Sequence, residues 1–261
     1  MSGFGTYRVD GYDIPIDLMN LTGGGPDWFE ASSTRHFGLL QKYVGIEPHF
    51  GILEIGCGIG RDAIPLTKVL SAGAGGVYTG TDLVKASIDW CNANIRERHP
   101  HFFFHHLDIE DEIYNPSGTL RNRDVALPFV SASVDRIIAQ SVFTHMLQED
   151  VEHYLAEFRR VLRPGGRVFT TTFIYDDAIL EKARALNVTQ YNLRFDHVVS
   201  DCCRVNDLER PTVAVACTLD ALDQMVRRAG LSHFHPPLRG HWSGYFPETE
   251  DRQDALILAA P

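Results

Sequence analysis

Apolar positions along the chain follow two alternating periods. Continuous apolar runs at Gly51 to Cys57, Gly76 to Leu83, Phe102 to Ile109, Val134 to Val142, Arg167 to Tyr175 and Asp254 to Ala260 predict strands. Between them apolar residues recur every three or four positions. Val84, Ile88, Cys91 and Ile95 line one helical face, and Pro100 lies just past the expected stop. Val151, Tyr154, Leu155, Phe158, Val161 and Leu162 line a second, with Asp150 as the expected N-cap and Pro164-Gly165-Gly166 as the terminator. A third starts at Thr218, turns Leu219, Leu222, Met225, Val226 and Ala229 inward, and ends at Gly230. Strands alternating with amphipathic helices predict an α/β fold, a doubly wound and mostly parallel sheet covered on both faces.

Two segments interrupt the alternation. Residues 1–45 hold a Gly-rich lead-in, Gly23-Gly24-Gly25-Pro26, and then a helical pattern of Phe29, His36, Phe37, Leu40 and Val44. They are expected to cap the ligand edge of the sheet. Residues 176–217 mix charges, aromatics and β-branched residues without a clean period, which suits an insertion at the acceptor site. The expectation is one domain of 261 residues: an N-terminal cap (1–45), a cofactor-binding core (46–175), the insertion (176–217), and a C-terminal helix and strands (218–261).

Charge and cysteine usage narrow the classes. Asp and Glu number 34 against 24 Lys and Arg, a formal charge of −10, which argues against nucleic acid or an anionic membrane as partner. No apolar run approaches the ~20 residues of a membrane span, and the opening MSGFGTYRVD lacks a basic region with an apolar core, so a cytoplasmic protein is expected. Cys57, Cys91, Cys202, Cys203 and Cys217 show no C-x-x-C spacing and read as reduced thiols rather than a disulfide framework or zinc site.

The segment Glu54-Ile55-Gly56-Cys57-Gly58-Ile59-Gly60-Arg61 ends a buried strand with a glycine turn and opens a helix. Glycines there let the backbone take positive φ and approach a ligand closely. Asp82, at the end of the next strand, stands where a carboxylate accepts ribose hydroxyls. A dinucleotide requires G-x-G-x-x-G, but position 61 is Arg. Glu54 would repel a pyrophosphate and attract an ammonium or sulfonium, so a cationic nucleoside fits better.

Glu54-x-Gly56-x-Gly58-x-Gly60, Asp82, Asp108 and the turn Leu162-Arg163-Pro164-Gly165-Gly166, in that order, resemble the class I S-adenosylmethionine-dependent methyltransferases. The likeness spans roughly residues 28–175. Gly56 to Arg61, Ile88-Asp89-Trp90-Cys91 and Ser141 to Leu147 resemble a bacterial subgroup that includes actinobacterial sugar and glycoconjugate O-methyltransferases. The resemblance implies a Rossmann-like, seven-stranded fold and S-adenosylmethionine as cofactor, with S-adenosylhomocysteine as product. It implies that Glu54, Gly56, Gly58, Gly60 and Arg61 hold the methionine part, Asp82 and Leu83 the ribose, and Asp108 and Ile109 the adenine. Gln140 and Ser141 would lie beside the transferred methyl, and Arg35 would reach the methionine carboxylate. Plainer readings stay open: Asp108 as a turn residue, Arg35 as a helix-end charge.

A sulfonium methyl is already activated, so an alcohol acceptor chiefly needs alignment and a base. His145 lies just past the fourth strand's C-terminal end, and imidazole accepts protons near neutral pH. Glu149, at i+4, is the expected partner for its other ring nitrogen. Tyr175, His241, Trp242 and Tyr245 are candidate acceptor contacts, since aromatic rings beside polar groups suit a sugar; core packing is the plainer role for the 240s. Asp176 and Asp177 leave a divalent ion as a disfavoured option, and no metal is expected. The expected function is O-methylation of a small carbohydrate or glycoconjugate. The alternatives are methylation of a non-sugar natural product at O or N, a non-catalytic binder of the cofactor, and a nicotinamide oxidoreductase. The oligomeric state stays open, a homodimer among the options.

Overall fold

The buried apolar runs become strands, shortened at their C-terminal ends where glycine takes the chain out of extended geometry. The computed structural model describes residues 5–22 and 24–261, so residues 1–4 and Gly23 of the lead-in lie outside the described residues. Contacts gather into two compact units. One runs to Asp124 and takes in Val134–Ile138; the other comprises Val125–Ser133 and Ala139–Pro261.

The first unit opens with an antiparallel hairpin, β1 (Thr6–Val9) and β2 (Tyr12–Pro15). Its two-residue turn, Asp10-Gly11, has φ of 48° and 82°, as a tight right-twisted hairpin needs. Helices α1 (Ile16–Leu21) and α2 (Gly25–Tyr43) follow, the second burying Phe29, Ser32, His36, Leu39 and Leu40 along one stripe. Then come β3 (Gly51–Ile55), α3 (Ala63–Leu66), β4 (Val77–Asp82), α4 (Lys85–Cys91), β5 (Phe102–His106) and β6 (Val134–Ala139). These four strands pair in parallel in the order β5-β4-β3-β6. Parallel strands buried on both faces carry no polar alternation, which is why Ile52, Leu53, Tyr78, Phe102 and Ile137 are all buried.

The second unit contains α5 (Gln148–Val161), β7 (Leu162–Tyr175), α6 (Asp177–Leu186), β8 (His197–Val198), β9 (Cys203–Val205), β10 (Val215–Thr218), α7 (Leu219–Arg228), β11 (Ser232–Leu238) and β12 (Asp254–Ala259). Strand β7 forks. Residues Arg167–Thr172 pair antiparallel with β12, which continues to β11, while Phe173–Tyr175 pair in parallel with β10, which continues antiparallel to β9 and β8. The class is mixed α/β, as the alternation predicts. The first unit supplies β3–β6 and the second β7, β11 and β12, while residues 176–217 add β8–β10 to the second.

Three expectations are corrected. Helix α5 starts at Gln148, so Leu147 is its N-cap and Asp150 lies in the first turn, its N–H donating to Leu147 O at 3.1 Å. Pro164-Gly165-Gly166 lies inside the span of β7, where Gly165 N donates to Ala260 O and Ala260 N to Gly166 O. The 176–217 segment is far from irregular: Asp176 caps α6 by accepting from Ile179 N at 2.8 Å. That cap employs a carboxylate considered for a divalent ion. Among the described residues no group of three or more His, Cys, Asp or Glu side chains is placed to hold a metal, and no helix is long and apolar enough to cross a membrane.

Candidate active site

The glycine loop of the first unit leaves β3 through three residues that need positive φ: Gly56 at 71°, Gly58 at 52° and Gly60 at 81°. A Cβ on Gly60 would meet Ile95 Cδ1 at 2.6 Å, so glycine is required there for space as well as for backbone angle. The loop is tied down at both ends. Gly56 N and Cys57 N donate to Thr81 O, and Asp82 accepts from Gly58 N and Val84 N, each at 2.7 Å. A carboxylate offers about four acceptor positions, so Asp82 retains capacity for a ribose hydroxyl. Leu83, which follows Asp82, accepts at its carbonyl from the His106 ring at 3.1 Å.

Behind the loop lies a buried acid pair. Glu54 is 2% exposed and accepts from the Tyr78 hydroxyl at 2.5 Å. Gly80 keeps open the space through which that hydroxyl reaches it, since a Cβ there would lie 2.9 Å from Tyr78 Oη. Burial and the nearby charge of Asp62 push the Glu54 carboxyl well above the usual range, against the pull of Tyr78 and Arg61. Asp62 is driven up by burial too. The His36 ring, with Nδ1 3.2 Å from both carboxylate oxygens, then Arg61 and Arg35, reverse this and hold it below its ordinary value. Of these two carboxyls, cations favour ionisation of Asp62 while burial and its neighbour oppose ionisation of Glu54.

The second unit carries the remaining candidates. Gln140 is buried just past β6. Ser141 has φ of 55°, rare for a residue with a side chain, and a closed network holds it there. Its N–H donates to Thr171 Oγ1 at 2.7 Å, its hydroxyl to Gln253 Oε1 at 2.9 Å, and Thr171 donates to the same Gln253 oxygen at 2.6 Å. His145 ends a single 3₁₀ turn, Phe143–His145, and its Nδ1 lies 2.8 Å from the carbonyl oxygen of Thr212. A carbonyl only accepts, so Nδ1 is the donor of this pair, which selects the Nδ1–H tautomer in the neutral ring.

Several assignments from the sequence change. The partner of His145 Nδ1 is Thr212 O, not Glu149, which is exposed in the first turn of α5. Trp242 is 3% exposed, its ring centroid 5.4 Å from those of Phe173 and Phe195 and its Nε1 donating to Asp254 at 2.8 Å, so it is core rather than an acceptor platform. Tyr175 packs against that cluster with the Arg204 guanidinium 5.7 Å from its ring. His241 is exposed and Tyr245 is 45% exposed, its ring edge-on to Phe246. Asp108 accepts from Thr119 Oγ1 at 2.7 Å and Asn115 Nδ2 at 3.1 Å, stapling the loop after β5, and Ile109 N donates to Leu107 O. Arg35 lies 3.4 Å from Ser32 Oγ. Thr212, Tyr78 and the His36–Asp62 pair were missed. Only the pair left a signal, a titratable residue on an otherwise apolar helix face.

Residues 53–170 match the sequence model of a family described as a methyltransferase domain. Over this segment the chain resembles a methyltransferase domain. The chain is 26% identical over 160 residues to a sterol 24-C-methyltransferase of Gibberella zeae, covering 60% of this chain and 37% of that protein. It is 34% identical over 118 residues to a phthiotriol/phenolphthiotriol dimycocerosates methyltransferase of Mycobacterium tuberculosis, covering 44% and 34%. The chain thus spans little more than a third of these relatives' length. A crystal structure of a Burkholderia thailandensis 1,6-didemethyltoxoflavin-N1-methyltransferase, with S-adenosylhomocysteine bound, aligns over 88% of this chain and 79% of its own at a TM-score of 0.56 and 16% identity. That likeness carries the fold alone. The glycine loop, the acid pair at Glu54 and Asp62, Asp82 and Asp108 all fall within the matched segment, as do Gln140, Ser141 and His145.

Proposed function

We propose that the protein transfers the methyl group of S-adenosylmethionine to a hydroxyl of a small acceptor, a carbohydrate or glycoconjugate, with His145 as general base. The observation that carries this reading is the buried Glu54 carboxyl behind a loop of three positive-φ glycines. A carboxyl that resists ionisation for want of a cation suits the ammonium and sulfonium of S-adenosylmethionine and opposes a pyrophosphate. When bound, the cofactor supplies a methyl whose leaving group is a neutral thioether. Glu54 and the loop would hold the amino-acid part, Asp82 the ribose, and Asp108 with Ile109 the adenine; Arg35 would serve the carboxylate, and Gln140 and Ser141 the methyl. His145 Nε2 takes the hydroxyl proton, and Thr212 fixes the ring in the tautomer that can do so.

Exposed Tyr245 and His241 offer a ring and a polar partner to a sugar. A second reading, an apolar alcohol, draws on the relatives named for a sterol and for dimycocerosates. Deuteromethyl S-adenosylmethionine incubated with the protein and panels of sugars, glycolipids, sterols and amines decides between them by mass spectrometry. Label on a sugar oxygen is the expected result; label only on a lipid alcohol favours the second reading, and label only on nitrogen defeats O-methylation.

A further inference from the structure

Strands β9 and β10 bring two cysteines face to face. In their antiparallel register Cys203 is opposite Cys217. The ladder bonds fall on the flanking pairs, with Thr218 N donating to Cys202 O and Asn206 N to Ala214 O. Cys203 and Cys217 therefore occupy a non-hydrogen-bonded position, where the Cα atoms of opposite residues approach to about 4.5 Å, within the span a disulfide bridges. Their sulfurs are 2.6 Å apart, well inside van der Waals contact, against about 2.05 Å for a covalent S–S bond. Both are buried free thiols, and the adjoining Cys217 side chain holds the Cys203 thiol below its ordinary value. Cys202, whose sulfur is 3.8 Å from that of Cys203, is partly exposed in the wall of a cavity of about 370 Å³ that also borders Gln148, Gln224 and Arg228.

We propose that Cys203 and Cys217 form a peroxide-responsive dithiol that closes to a cross-strand disulfide, reached through the cavity beside Cys202. The oxidant is a small hydroperoxide, of which hydrogen peroxide is the simplest. The Cys203 thiolate attacks one peroxide oxygen, the O–O bond breaks, and hydroxide leaves and takes up a proton as water, giving a sulfenic acid on Cys203. Cys217 attacks that sulfur, the S–O bond breaks, and the hydroxyl departs with the Cys217 proton as a second water. Two thiols and one peroxide thus give one disulfide and two waters, the two electrons passing from sulfur to oxygen. The new bond joins positions 14 residues apart and encloses Thr212, whose carbonyl anchors His145, so oxidation would clamp the segment that orients this ring. The proposal is independent of the acceptor and of the cofactor.

The test uses the full chain, reduced, freed of reductant and exposed to hydrogen peroxide. Thiols are counted after denaturation and crosslinked peptides are sequenced by mass spectrometry under non-reducing conditions. Thiols should fall from five to three, with the link at Cys203–Cys217 and full recovery on adding dithiothreitol. Cys202→Ser should give the same link, and Cys217→Ser should leave a sulfenic acid on Cys203 that dimedone traps. Five thiols remaining, a link through Cys202, or oxidation without an intrachain link overturns the proposal, and the wild-type mapping decides this even if a variant folds poorly.

Discussion

Replacing His145 with alanine is expected to lower turnover by about 100-fold or more, because a positioned base contributes 10²–10⁴, while affinity for S-adenosylmethionine stays unchanged. The geometry allows a sharper comparison. Nδ1 is spent on Thr212 O, so only Nε2 can receive a proton. Asparagine at this position keeps an N–H donor near Nδ1 and has nothing at the place of Nε2. His145→Asn should therefore be as slow as His145→Ala, although it can restore the bond to Thr212. Should asparagine recover most of the turnover, His145 only braces the chain and is no base. Steady-state kinetics of both variants, with cofactor affinity measured separately, make the distinction.

The largest effect on stability is expected at Asp254, which is 0% exposed. Its carboxylate accepts from Ile174 N at 2.7 Å, Gly240 N at 2.9 Å and Trp242 Nε1 at 2.8 Å, with Arg239 Nε 3.2 Å away. This one side chain gathers the end of β7, the chain after β11 and the aromatic core. Removing one partner of a buried charged network costs about 3–5 kcal/mol, since the donors left behind stay desolvated. For a chain of this size that is a fall in Tm on the order of 10 °C. Asp254→Ala followed by thermal denaturation checks it; a change under 2 °C would mean that solvent or a neighbour replaces the carboxylate.

What was legible in the sequence was what depends on neighbouring residues. Gly56, Gly58 and Gly60 had to be glycine for a turn built from the same stretch of chain, and the periodicity of α4, α5 and α7 reports faces that the sheet buries. What was not legible depends on residues far apart. Thr212 and His145 are separated by 67 positions, and nothing at Thr212 marks its carbonyl as an anchor. Trp242 beside Tyr245 reads equally well as sugar platform or core, and only the fold, by supplying Phe173, Phe195 and Asp254, decides for core. The strands within 176–217 escaped because β8 and β9 are too short to show a period.

The central claim is that a cationic nucleoside occupies the loop in front of Glu54. With its folded-state pKa raised, Glu54 contributes stability that is fully present below its unfolded value and lost as pH rises through the folded one. Glu54→Gln should thus fold at least as well as wild type at neutral pH while being unable to ionise opposite a bound cation. Isothermal calorimetry of S-adenosylmethionine, S-adenosylhomocysteine and NAD against both proteins is the most direct test. Heat is expected from the first two with wild type, none from NAD, and roughly 10- to 100-fold weaker binding in Glu54→Gln, the worth of a hydrogen bond to a charged group. Heat from NAD alone, or no heat from either sulfur nucleoside with wild type, would contradict it.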